Sequence, residues 1–146
     1  MIQRIQSIWL LIASVLSFVS LQTSFFSGNK LISDSTAAGS TATFIQLTGM
    51  SDLFTLILTI GIALLALITI FLYKNRPLQM RLALVGLLCS VLLIVLYYLN
   101  SKKFIPNQSS LDLTALVVMG IPFCYFLAIR GIYQDENLVK SADKLR

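Results

Sequence analysis

Two thiols and two carboxylates, Cys89, Cys124, Asp52 and Asp112, are the side chains in or beside the apolar stretches of this chain that could do chemistry. Two thiols brought together could form a redox pair, in which one thiolate attacks. These two lie in separate apolar stretches with no C-x-x-C spacing, and cysteine is also a small packing residue. A reducing cytoplasm would keep them as thiols. Packing is therefore the expectation. Asp52 and Asp112 each open an apolar run. A carboxylate there caps a helix N-terminus or favours its dipole; an ion or substrate site is the competing reading. The 146 residues include no histidine, which removes the commonest general base and a common metal ligand. No catalytic residue, cofactor or metal ligand is expected.

The elements that position these residues are long and apolar. Hydrophobic residues make up 57% of the chain and charged residues 12%, against about 25% charged in an ordinary soluble domain. That shortfall points to a membrane protein. Four stretches, at about 5–26, 53–73, 82–99 and 111–129, carry no charged residue apart from Asp112 at the start of the last. Crossing a hydrocarbon core of about 30 Å takes about 20 such residues. The first stretch is longer than a signal-peptide core and lacks a small-residue cleavage site, so it is expected to stay. The predicted fold is all-α: a four-helix transmembrane bundle formed by one domain over 1–146, with a cytoplasmic amphipathic helix at about 130–146.

Small residues recur at helical spacing in every stretch: Ala13, Ser17 and Ser20; Thr55, Thr59 and Ala63; Gly86 and Ser90; Gly120, Cys124 and Ala128. Such stripes let helix backbones approach closely, which drives packing inside a bilayer. Pro122 should kink the last stretch. "LIASVL" at 11–16 resembles "LLCSVL" at 87–92, and "DLFTL" at 52–56 resembles "DLTAL" at 112–116. A duplicated two-span unit is one reading, and shared apolar composition is the other.

Basic residues set the orientation. Arg4, Lys74, Arg76, Arg81, Arg130, Lys140, Lys144 and Arg146 fall on one side, and Lys30, Lys102 and Lys103 on the other. Both termini are therefore expected in the cytoplasm. No continuous basic stripe forms, which argues against nucleic acid. Pro77 should break the helix between the second and third spans. Tyr73, Tyr97 and Tyr98 sit at span ends, where polar-tipped rings prefer the interface. "TATFIQLT" favours strand in the first loop, while the Ser/Thr/Gly-rich middle of that loop suits a mobile segment.

The opening "MIQRIQSIWLL", the loop "YKNRPLQMRL" and the closing "IRGIYQDENLVKSADKLR" together resemble a family of small four-span bacterial membrane proteins of unknown function. The resemblance covers effectively the whole chain. It implies an inner-membrane protein with four helices, and it carries over no substrate and no catalytic residue.

These stretches are the three cytoplasmic ones. In the tail, Leu138, Ala142 and Leu145 share one helical face, and Glu136 precedes Lys140 in the favourable order. Such a helix suits anionic lipid, the rim of the bundle or a protein partner. The expected docking face comprises Arg4, Arg76, Arg81, Arg130, Leu138, Ala142 and Leu145. The expected role is a non-enzymatic scaffold or subunit in the bilayer, meeting a protein partner or another copy of itself. A small transporter or channel component is the alternative, and a membrane enzyme comes third.

Overall fold

The computed structural model describes residues 3–32, 41–72, 75–102 and 109–144. In chain order these form α1 (Gln3–Ser20), β1 (Ser24–Ile32), β2 (Thr41–Thr48), α2 (Leu53–Phe71), α3 (Arg76–Ser101), β3 (Ser109–Leu111) and α4 (Ala115–Lys144). The chain is mostly helical. Each helix packs on the next, and α4 returns to pack on α1. Three helical stretches, Leu53–Phe71, Arg76–Ser101 and Ala115–Leu138, are long and apolar enough to cross a membrane; α1 contributes a shorter apolar helix, Gln6–Ser20.

The helices pack with small and hydroxyl side chains inside and large apolar ones outside. Ala13, Ser17, Ser20, Thr55, Thr59, Ala63, Ser90, Cys124 and Ala128 are all buried. Most of these hydroxyls bond back to a carbonyl of their own helix: Ser17 Oγ donates to the Ala13 carbonyl at 2.8 Å and Thr59 Oγ1 to the Thr55 carbonyl at 2.7 Å. Such back-bonding lets a polar side chain face a dry core. Leu10, Ile62, Leu93 and Ile121 fill the space between the stripes. Outside stand Phe54, Ile57, Phe71, Leu88, Phe123 and Phe126. A water-soluble fold buries such residues.

Two close approaches need glycine. A Cβ at Gly86 would lie 2.3 Å from Tyr125 Cε1, so the Tyr125 ring lies directly against the α3 backbone. The Tyr125 hydroxyl then reaches α2 and donates to the Ile62 carbonyl at 2.7 Å. One side chain thus ties three helices together. At Gly49 a Cβ would lie 2.9 Å from Leu21 Cα, so the turn into α2 backs directly onto the end of α1.

Several expectations change. The first helix stops at Ser20, and Ser24–Phe26, predicted helical, belong to β1. The expected strand in "TATFIQLT" is β2, but its partner is β1, in a sheet of order β2-β1-β3. Its antiparallel register sets Ser27 opposite Gln46 on one side and Ser110 on the other. α3 begins at Arg76, because Pro77 sits in the first turn, where its missing N–H costs no helix bond. No separate C-terminal helix exists among the described residues: α4 runs unbroken through Pro122 and past residue 130 to Lys144.

Candidate functional site at the arginine end of the helices

The two ends of the helices differ in chemistry. At one end lies the sheet; at the other lie Arg76, Arg81 and Arg130. Two contacts fix how α3 and α4 run past each other. Gly86 meets Tyr125, and Arg76 meets Asp135. The contacts are ten residues apart on each helix, so the antiparallel register is constant between them. Arg81 and Arg130 lie midway and therefore share one depth. α1 is fixed likewise, since Gly120 meets Leu16 and Gly131 meets Gln6. Trp9 then lies level with Ala128, just on the apolar side of Arg130.

Arg76 is committed within the chain. Its Nη1 donates to the Asp135 carbonyl at 3.1 Å and lies 3.8 Å from Asp135 Oδ2. This joins the start of α3 to α4 a full turn beyond Arg130. Below this level α4 continues from Glu136 to Lys144, about 13 Å of helix at 1.5 Å per residue. That segment extends past the start of α1 and of α3. Leu138, on the segment, is 51% exposed.

Gln6 and Gln79, both buried, face the core just above this level. Gln79 Nε2 donates to the Thr69 carbonyl at 3.3 Å, which ties α3 to the end of α2. Nothing local marks the burial of these glutamines, because an amide in an apolar run resembles a tolerated polar residue.

The expected docking residues therefore separate. Arg76 is turned inward to Asp135. Arg81 and Arg130 are exposed at one depth, and neither has a hydrogen-bond or ion-pair partner among the described residues. Leu138 lies on the protruding part of α4. The side chains of Arg4 and Ala142 lie outside the described set, as does Leu145 entirely. Asp135, absent from the expected set, is the partner that orders Arg76.

At the sheet end the two aspartates do not act as simple caps. Asp52 precedes α2 without a side-chain cap bond; its Oδ2 accepts from Asn100 Nδ2 at 2.5 Å, linking α2 to α3. Asp112 accepts from the hydroxyls of Ser24 and Ser27, the latter at 2.7 Å, and its N–H donates to the Phe25 carbonyl at 3.2 Å. Thr114 donates to the Ser24 carbonyl. Asp112 thus fastens β1 to the start of α4. The Phe25 ring stacks on Tyr97, with centroids 4.7 Å apart. Tyr97, expected at the interface, is instead fully buried, because Phe25 covers it. Tyr98 is exposed and carries Lys102 over its ring at 5.0 Å. Tyr73 lies outside the described residues. Both cysteines are free, Cys124 buried and Cys89 half-buried. Among the described residues no cluster of His, Cys, Asp or Glu is suited to a metal.

No curated protein and no solved structure matches the chain. A family model does, over residues 2–145, and on that match the chain belongs to the family described as a domain of unknown function, DUF4293.

Proposed function

We propose that this is a four-span protein of a bacterial inner membrane, acting as a scaffold or subunit rather than an enzyme. Its arginine end faces the cytoplasm and the protruding part of α4 docks a protein partner. The observation that carries the membrane reading is the inverted packing: hydroxyl and small side chains buried, with Phe54, Phe71, Phe123 and Phe126 exposed. An exposed apolar surface of that extent suits lipid. α1 shares it, since Ile8, Leu11, Val15 and Phe18 are exposed at the depths of the exposed residues of α4. This supports α1 as the fourth span despite its shorter apolar stretch.

Orientation rests on the bias of basic residues toward one end. The docking reading is supported by α4, which extends beyond the other helices as continuous helix and presents Leu138. The interior favours a scaffold over a carrier: Tyr125, Ile62, Leu93 and Val118 fill it, and no charged residue lies between Arg81 and Lys102 on α3. Intramembrane charges are the usual mark of ion and proton pathways.

Crosslinking in native membranes, followed by identification of attached proteins, tests the docking. Leu138→Asp with Leu145→Asp should abolish specific crosslinks while the protein stays folded. Single cysteines in a background lacking Cys89 and Cys124 test orientation: Ser35→Cys and Asn107→Cys should label from outside intact cells, and Asn75→Cys and Ser141→Cys should not. Labelling at position 75 from outside overturns the orientation.

A further inference from the structure

We propose that Arg81 and Arg130 form a binding belt for the phosphate headgroups of anionic phospholipids. The inference rests on the four-span reading above and is independent of the docking one. The chain treats its arginines in two ways. Arg76 is half-buried and paired with Asp135. Arg81 and Arg130 are exposed, point away from the packed faces of their helices, and have no partner among the described residues. A guanidinium left unpaired on the outward face of a helix is available to an anion from outside the chain.

The depth of these two residues identifies the anion. They share one level, midway between the Gly86–Tyr125 and Arg76–Asp135 contacts. On one side of that level α3 has no charged residue over 82–101, and α4 none over 115–129. At 1.5 Å per residue these stretches are about 30 and 22 Å long, against about 30 Å for a hydrocarbon core. The arginines thus stand where the hydrocarbon ends. Trp9 lies about one helical turn from Gln6 toward the apolar side, the depth preferred by interfacial aromatics. A planar guanidinium fits a phosphate with two parallel hydrogen bonds. Because they project from the outward faces of different helices, the two residues hold separate lipids of the surrounding shell. A protein partner is the weaker occupant: a partner reaching that level would have to displace lipid from the helix surfaces, whereas the protruding part of α4 is open to it.

The test uses the purified full chain in detergent, offered equal amounts of phosphatidylglycerol and phosphatidylcholine, with bound lipid counted by native mass spectrometry. Wild type should select phosphatidylglycerol. Each arginine removed in Arg81→Gln and Arg130→Gln should lower that selectivity about fivefold, the factor expected for one basic residue at an anionic surface. Arg81→Lys with Arg130→Lys should retain most of it. Circular dichroism verifies folding; if the double glutamine variant loses helix, the single variants and the wild-type competition decide. Equal binding of the two lipids by wild type overturns the proposal, as does unchanged selectivity in folded glutamine variants. Displacement of the lipid by equimolar inorganic phosphate overturns the lipid assignment. If the glutamine variants lose protein crosslinks but keep wild-type lipid selectivity, the arginines serve a protein and the belt is wrong. Loss of crosslinks in the leucine variants reads the docking separately.

Discussion

Replacing Gly86 by alanine adds a single methyl group, and its cost can be worked out from the contacts around it. The new Cβ would lie 2.3 Å from Tyr125 Cε1 and 2.6 Å from Cζ. Carbon atoms settle at about 3.5 Å or more, so the ring must retreat by about 1 Å. It has little room, because Tyr125 is fully buried. Its hydroxyl bond to the Ile62 carbonyl, 2.7 Å long, would stretch past useful length. Overpacking of this kind costs about 1–3 kcal/mol, and an interhelical hydrogen bond in a membrane about 0.6–1.7 kcal/mol. Gly86→Ala should therefore destabilise by about 2–4 kcal/mol. Tyr125→Phe, which loses only the hydrogen bond, should cost about 1 kcal/mol. Equilibrium unfolding in mixed detergent reads both. In a double-mutant cycle, Gly86→Ala with Tyr125→Leu should cost less than the sum of the singles, because the clash is gone. If Gly86→Ala stays within about 0.5 kcal/mol of wild type, or the cycle is additive, the ring does not lie on the α3 backbone as described.

Three further outcomes are expected. Asp112→Ala leaves the Ser24 and Ser27 hydroxyls without their shared acceptor and should cost about 1–3 kcal/mol; hydrogen exchange in β1 should be faster than in wild type, and an unchanged rate counts against the fastening role. Arg76→Gln should lower global stability by no more than about 1 kcal/mol, as partly exposed ion pairs do, yet speed hydrogen exchange in α4 from Asp135 onward; the swap Arg76→Asp with Asp135→Arg should restore protection. Cys124→Ala keeps a small residue in a buried position and should change stability by less than about 1 kcal/mol, and loss of partner crosslinking with stability intact would bring thiol chemistry back.

The parts of this architecture that depend on local pattern could be read from the sequence. The stripes through Ala13, Thr55, Gly86 and Cys124 foretold the buried faces, because helical spacing alone decides which small residues line up. The apolar stretches foretold the helices for the same reason. Pairings between distant residues left no local trace. Phe25 and Phe26 extended an apolar run and read as helix, yet their strand is held by Asp112 and by residues 109–111. Tyr97 read as an interfacial ring because its shield, Phe25, is remote in sequence. Tyr125 went unremarked, since an aromatic in an apolar run carries no sign of a hydrogen bond to another helix. In the docking face, the pairing of Arg76 with Asp135 leaves no local trace either, because the two lie 59 residues apart.

The strand order β2-β1-β3 bears on how the chain is assembled as it is synthesised. β1 is the central strand, but one of its neighbours is made early and the other late. Ser24 meets Asp112 across 88 residues. While only α1 and α2 have emerged, β1 can pair with β2 alone, and its second edge stays open together with the Ser24 and Ser27 hydroxyls. An open strand edge is a template for wrong partners, and partly built proteins expose such edges to aggregation and quality control. The edge closes only when β3 and Asp112 arrive, immediately ahead of α4. The edge therefore closes only after three of the four helices have been made, and a molecule that lacks β3 still exposes it.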